Sequence, residues 1–149
     1  MYGLKEELNI ENMIYEIRGK QVMLDSDLAK LYECKNGTKD INKAVKRNIE
    51  RFPKNFYFQI TEEEMKKLWF QSGTANKMIR SLPYVFTEQG IAMLSSVLHT
   101  QIAISQRIRI MDAFVKMRKI ISSNLIEQKY INELVIKDNE RINLLEESF

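Results

Sequence analysis

Cysteine is almost missing from this chain: Cys34 is the only one in 149 residues. A lone thiol builds neither a disulfide framework nor a zinc site. Histidine is as scarce, with His99 alone and no nucleophile pattern beside it. No run of about 18 apolar residues occurs, so no segment is suited to span a bilayer. The N-terminal stretch Met1-Tyr2-Gly3-Leu4-Lys5-Glu6-Glu7 carries acids where an export signal needs an apolar core. Internal repeats and low-complexity tracts are also absent. What remains is ordinary for a soluble globular protein, with 44% hydrophobic and 29% charged residues. That composition excludes disorder of the whole chain, and a mass of 17.6 kDa fits one compact domain with an appendage. The expectation is a cytoplasmic protein with no membrane segment, no metal and no cofactor.

A large charge of one sign is lacking too, since the net is only +3. Divided along the chain, however, the charge is uneven. Residues 1–17 hold one Lys against four Glu, and residues 18–80 hold fourteen Lys/Arg against eight Asp/Glu. Residues 81–121 hold five cations against two acids, and residues 122–149 three against six. A basic middle between acidic ends is what a polyanion would meet.

Local patterns give the order of elements. Met13-Ile14-Tyr15-Glu16-Ile17 and Gln21-Val22-Met23-Leu24 flank Arg18-Gly19-Lys20 and read as a β-hairpin. Residues 1–12 form a leader, read as a short acidic helix. Asp25 is placed to cap a helix through Tyr32, with Leu24, Leu28, Leu31 and Tyr32 on one face. Asn36-Gly37 marks a turn. Thr38 is placed to cap a second helix reaching about Phe52, where Pro53 stops it. Ile41, Ala44, Val45, Ile49 and Phe52 fall on its inner face. Lys39, Asn42, Lys43, Lys46, Arg47 and Glu50 fall on the other.

Short helix, turn and longer helix are the order of a helix-turn-helix, whose second helix enters a major groove. Long basic side chains reach phosphates, while Asn and Arg can hydrogen-bond base edges in pairs. The DNA-binding candidates are therefore Lys39, Asn42, Lys43, Lys46 and Arg47, with Asn42 best suited to reading a base. Arg51 reads as a structural cation paired with Glu50 or the helix end.

Further on, Asn55-Phe56-Tyr57-Phe58-Gln59-Ile60 is β-prone, and its aromatics read as core by alternation. Thr61 and Glu64 form a capping box for a helix through Trp69. Residues 71–81 read as a loop or wing. Leu82-Pro83-Tyr84-Val85-Phe86 begins a strand, with Pro83 at an edge position. Thr87 caps a helix through Leu98, and Thr100 caps another through at least Ile121. Residues 122–149 read as an acidic helical tail. A 3–4 ladder from Ile110 runs through Phe114, Met117, Ile121, Asn124, Gln128, Ile131, Val135, Asp138, Ile142, Leu145 and Phe149. Polar residues interrupt this seam, as in a weak coiled coil or a helix that packs on a partner. The fold class is α+β: an N-terminal hairpin, helix-turn-helix-like helices, a small sheet and a long C-terminal helix.

Three separated segments carry a family resemblance. Ile17-Arg18-Gly19-Lys20-Gln21-Val22-Met23-Leu24-Asp25, Val45-Lys46-Arg47-Asn48-Ile49-Glu50-Arg51-Phe52-Pro53 and Leu82-Pro83-Tyr84-Val85-Phe86-Thr87-Glu88-Gln89-Gly90-Ile91-Ala92-Met93-Leu94 resemble the ORF-six-N domain. That domain is related to the KilA-N domain of phage and bacterial antirepressor-type proteins. The resemblance covers roughly residues 13–121 and is weakest at 69–80, which are less basic and less glycine-rich than the family pattern. It implies an α+β DNA-binding domain of phages, prophages and mobile elements, joined to a variable C-terminal segment.

Catalysis is not expected. Thr87-Glu88 is explained by a cap and a carboxylate in the first helical turn, and neither Cys34 nor His99 has an orienting partner in the sequence. The sequence points to a regulator that binds double-stranded DNA, dimerising through the C-terminal helix. The alternative is an interaction module whose basic face docks an acidic partner such as a repressor or another phage protein.

Overall fold

The hairpin turns on two residues in left-handed backbone, Arg18 (φ 55°) and Gly19 (φ 71°). Positive φ at both positions matches the right-handed twist of the flanking strands, β1 (Ile14–Ile17) and β2 (Lys20–Leu24). The computed structural model describes residues 9–72 and 81–147. The chain divides into two compact units, Met1–Phe114 and Val115–Phe149.

In the first unit, β3 (Tyr57–Gln59) and β4 (Tyr84–Thr87) join the hairpin in one antiparallel sheet of order β1-β2-β4-β3. Strand β4 is interior, not an edge. Pro83 lies just before it, so its missing N–H removes no rung, and its carbonyl accepts from the Ile60 amide at 3.1 Å. The register pairs Met23 with Phe86 and Phe86 with Tyr57, so these side chains share one sheet face. Phe52 meets Phe86 and Tyr57 edge-on, with centroids 6.2 and 6.0 Å apart. The other face carries Ile17, Val22 and Val85, packed with Ile60, Met65 and Leu68.

Five helices are present among the described residues: α1 (Asp25–Leu31), α2 (Thr38–Arg47), α3 (Glu62–Ser72), α4 (Glu88–Leu98) and α5 (Gln101–Glu147). None is long and apolar enough to cross a membrane. The expected caps of α3, α4 and α5 form: Thr61 and Glu64 bond reciprocally, Thr87 Oγ1 accepts from the Gly90 amide, and Thr100 Oγ1 accepts from Ala103. The N-terminal segment 10–13 is a 3-10 turn, and residues 1–8 lie outside the described residues. Of the expected loop at 71–81, Gln71 and Ser72 belong to α3, while residues 73–80 lie outside the described residues.

Three expectations are corrected. Asp25 does not cap α1. Its buried carboxylate accepts from the Ser26 amide at 2.8 Å and from the Tyr84 amide at 3.3 Å. The last rung between β2 and β4 is Leu24–Val85, so Asp25 continues that ladder with a side-chain oxygen as its backbone enters the helix. Burial pushes its carboxyl up, and the two amides oppose the shift. Thr38 does not cap α2; the capping position is Gly37, whose φ of 60° and ψ of −135° suit glycine alone. Finally, α2 stops at Arg47, short of Phe52. Asn48 Nδ2 donates to the Ala44 carbonyl at 2.9 Å and its backbone leaves helical geometry, so Ile49–Arg51 forms a 3-10 turn. Phe52 is still buried, but Ala44 is half-buried and Ile49 is 56% exposed.

One ion pair ties the hairpin turn to α3. Arg18 Nε donates to Glu64 Oε2 at 2.7 Å, Nη2 donates to Oε1 at 3.0 Å, and the guanidinium lies 4.3 Å from the Phe58 ring centroid. The Arg18 hydrogen bond is the main reason the Glu64 carboxyl is held down at about 2. Because the folded carboxyl is depressed, the stabilisation is complete above the ordinary carboxylate range and drains away as pH falls toward about 2. A double-mutant cycle of Arg18→Ala and Glu64→Ala should give a coupling of about 1 kcal/mol at neutral pH, surface screening keeping it small. The same cycle near the acid limit of folding should give a smaller coupling.

Candidate nucleic-acid interface

The α1–α2 turn is closed by the backbone. The Glu33 amide donates to the Lys30 carbonyl at 3.1 Å and the Cys34 amide to the Ala29 carbonyl at 2.9 Å, with Glu33 in left-handed conformation at φ 52°. This is the Schellman arrangement that ends a helix with its last carbonyls satisfied. Asp40, in the first turn of α2, reaches back to accept from the Asn36 amide (3.1 Å) and its side-chain nitrogen (3.2 Å). Those bonds, with a smaller contribution from Lys43, hold its carboxyl below the usual range.

The inner face of α2 is fixed by burial. Ile41 and Val45 are fully buried, as are Leu28 on α1 and Ile91 and Leu94 on α4. The Tyr32 hydroxyl lies 2.7 Å from Ser95 Oγ, and Ser95 donates to the Ile91 carbonyl, so Tyr32 is the donor of that pair. Burial pushes the Tyr32 phenol up to about 12, so it keeps its proton and its bond at neutral pH.

The outer face is opposite. At about 100° per residue, Lys39, Lys43 and Lys46 lie within roughly 60° of one another, with Arg47 about 40° beyond Lys43. All four are exposed. Asn42 lies about 40° beyond Lys46 on the other flank and is half-buried. The structure therefore groups the four cations and sets Asn42 at their margin. Among the described residues, Lys39, Lys46 and Arg47 form no ion pair. Asp40, the acid in the helix's first turn, has its oxygens engaged by Asn36. This leaves a cationic surface on a helix braced from behind.

Of the two roles expected for Arg51, the place at a helix end is kept, in the last turn of the 3-10 helix Ile49–Arg51. The pairing with Glu50 does not form. Arg51 is exposed on the 3-10 turn after α2 and, among the described residues, pairs with no acid. The signal for the early end of α2 was Asn48, a residue that readily bonds a carbonyl four positions back and ends a helix. Cys34 is half-buried, with its thiol pushed up by burial, and His99 is exposed in left-handed backbone between α4 and α5. No group of three or more His, Cys, Asp or Glu suited to a metal occurs among the described residues.

The sequence pattern described as the ORF6N domain matches residues 12–97, from the start of the hairpin to the end of α4 and more than half of the chain. No curated protein and no solved structure matches.

Proposed function

Because the chain belongs to the ORF6N domain family, which is associated with phages, we propose that it binds double-stranded DNA as a transcriptional regulator of the antirepressor type. It acts by binding and not by catalysis, in the cytoplasm of a host that carries a phage, prophage or other mobile element. The observation that carries this reading is the outer face of α2: exposed Lys39, Lys43, Lys46 and Arg47 on a helix whose inner face is locked to α1 and α4. In this reading α2 lies in a major groove, its cations meet phosphates, and Asn42 reaches a base edge from the margin. Arg51 extends the phosphate contacts beyond the helix end.

The test is fluorescence anisotropy with a random-sequence duplex across a salt series. Five neutralised phosphates give a logarithmic slope of about −4.5. A slope near zero removes the electrostatic basis of the proposal. Asn42→Ala should leave random-sequence binding nearly unchanged and relax preference at one position of a selected site. Failure to bind DNA at low salt would turn the basic face toward an acidic protein partner, such as a repressor.

A further inference from the structure

Among the described residues, the second unit is a helix without a core. Every described side chain from Arg118 to Ile142 is exposed, among them Ile121 (40%), Ile131 (50%), Leu134 (44%), Val135 (52%) and Ile142 (52%). An isolated helix gains no tertiary stabilisation, so exposed apolar side chains along it call for a partner. In heptad terms Ile121, Gln128, Val135 and Ile142 occupy a positions, and Met117, Asn124, Ile131 and Asp138 occupy d positions. Three of these are polar, and their spacing decides what can lie opposite.

A parallel pair would stack each seam residue on its own copy and set Asp138 against Asp138, two like charges in one layer. An antiparallel pair matches a with d positions, and one register pairs two of the three polar residues. Centred on Glu133, it sets Gln128 opposite Asp138 of the second copy, so an amide donates to a carboxylate in two symmetric layers. Ile131 then meets Val135, and Asn124 meets Ile142. On the flank, Glu127 meets Arg141 twice by symmetry, and Leu134 meets its own copy once, on the two-fold axis. Shifting by one heptad either way sets Asp138 against Ile121 or Val135 and separates Glu127 from Arg141. We infer that the tail helix is an antiparallel homodimerisation element in this register. The inference stands apart from the DNA-binding reading, because none of its residues lies on α2.

The test uses the full chain with Cys34→Ser to remove the native thiol. Light scattering should give twice 17.6 kDa. An equimolar mixture of Ile131→Cys and Val135→Cys proteins should form a disulfide-linked dimer on mild oxidation, while neither variant crosslinks alone. Glu127→Lys should weaken dimerisation by roughly tenfold, and adding Arg141→Glu should restore it. A monomeric mass overturns the inference. So does crosslinking of Ile131→Cys alone, which signifies a parallel pair. A dimer that fails to crosslink in the mixture overturns it as well, because another surface or register then holds the copies together.

Discussion

Gly90→Ala should cost upward of about 3 kcal/mol or prevent folding of the first unit. A Cβ at position 90 would collide with the Phe56 carbonyl oxygen and lie 2.8 Å from its carbon. Both are backbone atoms and cannot swing aside. The same carbonyl accepts from the Thr87 amide at 3.0 Å and from Thr87 Oγ1 at 3.2 Å, and Thr87 Oγ1 in turn accepts from the Gly90 amide. Retreat of Phe56 would therefore break the bonds that join the start of α4 to the segment before β3. It would also disturb Tyr57, which packs on Phe86 with centroids 5.3 Å apart. Urea unfolding followed by near-ultraviolet circular dichroism checks this. Gln89→Ala, one residue earlier and exposed, should stay within about 0.5 kcal/mol of the parent. A Gly90→Ala protein within about 1 kcal/mol of the parent would mean that the approach of α4 to Phe56 is looser than described.

Lys43→Glu/Lys46→Glu should lower affinity for a random duplex by about a hundredfold or more at moderate salt, without weakening the fold. Both side chains are exposed, so stability should move by no more than about 0.5 kcal/mol. Two phosphate contacts disappear and two acids face the polyanion. The magnitude of the salt slope should fall by about 2 as those contacts are lost. Paired anisotropy and urea curves separate the two effects. Unchanged affinity with an unchanged fold would move the DNA surface away from α2.

Local chemistry made much of the fold legible. Arg18-Gly19 specified the hairpin, and Thr61, Thr87 and Thr100 each marked a helix start, because turn and cap geometry depends on neighbours in sequence. What the sequence did not disclose depends on distant partners. Placing β4 between β2 and β3 requires pairings across dozens of residues. The role of Asp25 needs Tyr84, 59 positions away; from sequence alone, an acid before a helix reads as a cap. The end of α2 was misjudged for a different reason. Helical spacing of Ile49 and Phe52 outweighed Asn48, whose side-chain bond to Ala44 takes the backbone out of helix. At the candidate site, spacing correctly grouped Lys39, Lys43, Lys46 and Arg47 on one face. Asn42 falls at the margin of that face by the same spacing, and the exposure of Arg51 follows from the early end of the helix.

The backbone closure between α1 and α2 has an evolutionary consequence. Since main-chain bonds and the Asp40 carboxylate hold that turn, the exposed side chain of Lys35 has no structural duty among the described residues. A substitution there can drift between cationic, neutral and acidic without altering how α2 is presented. The charge of the turn can thus change one residue at a time while the scaffold behind it stays the same.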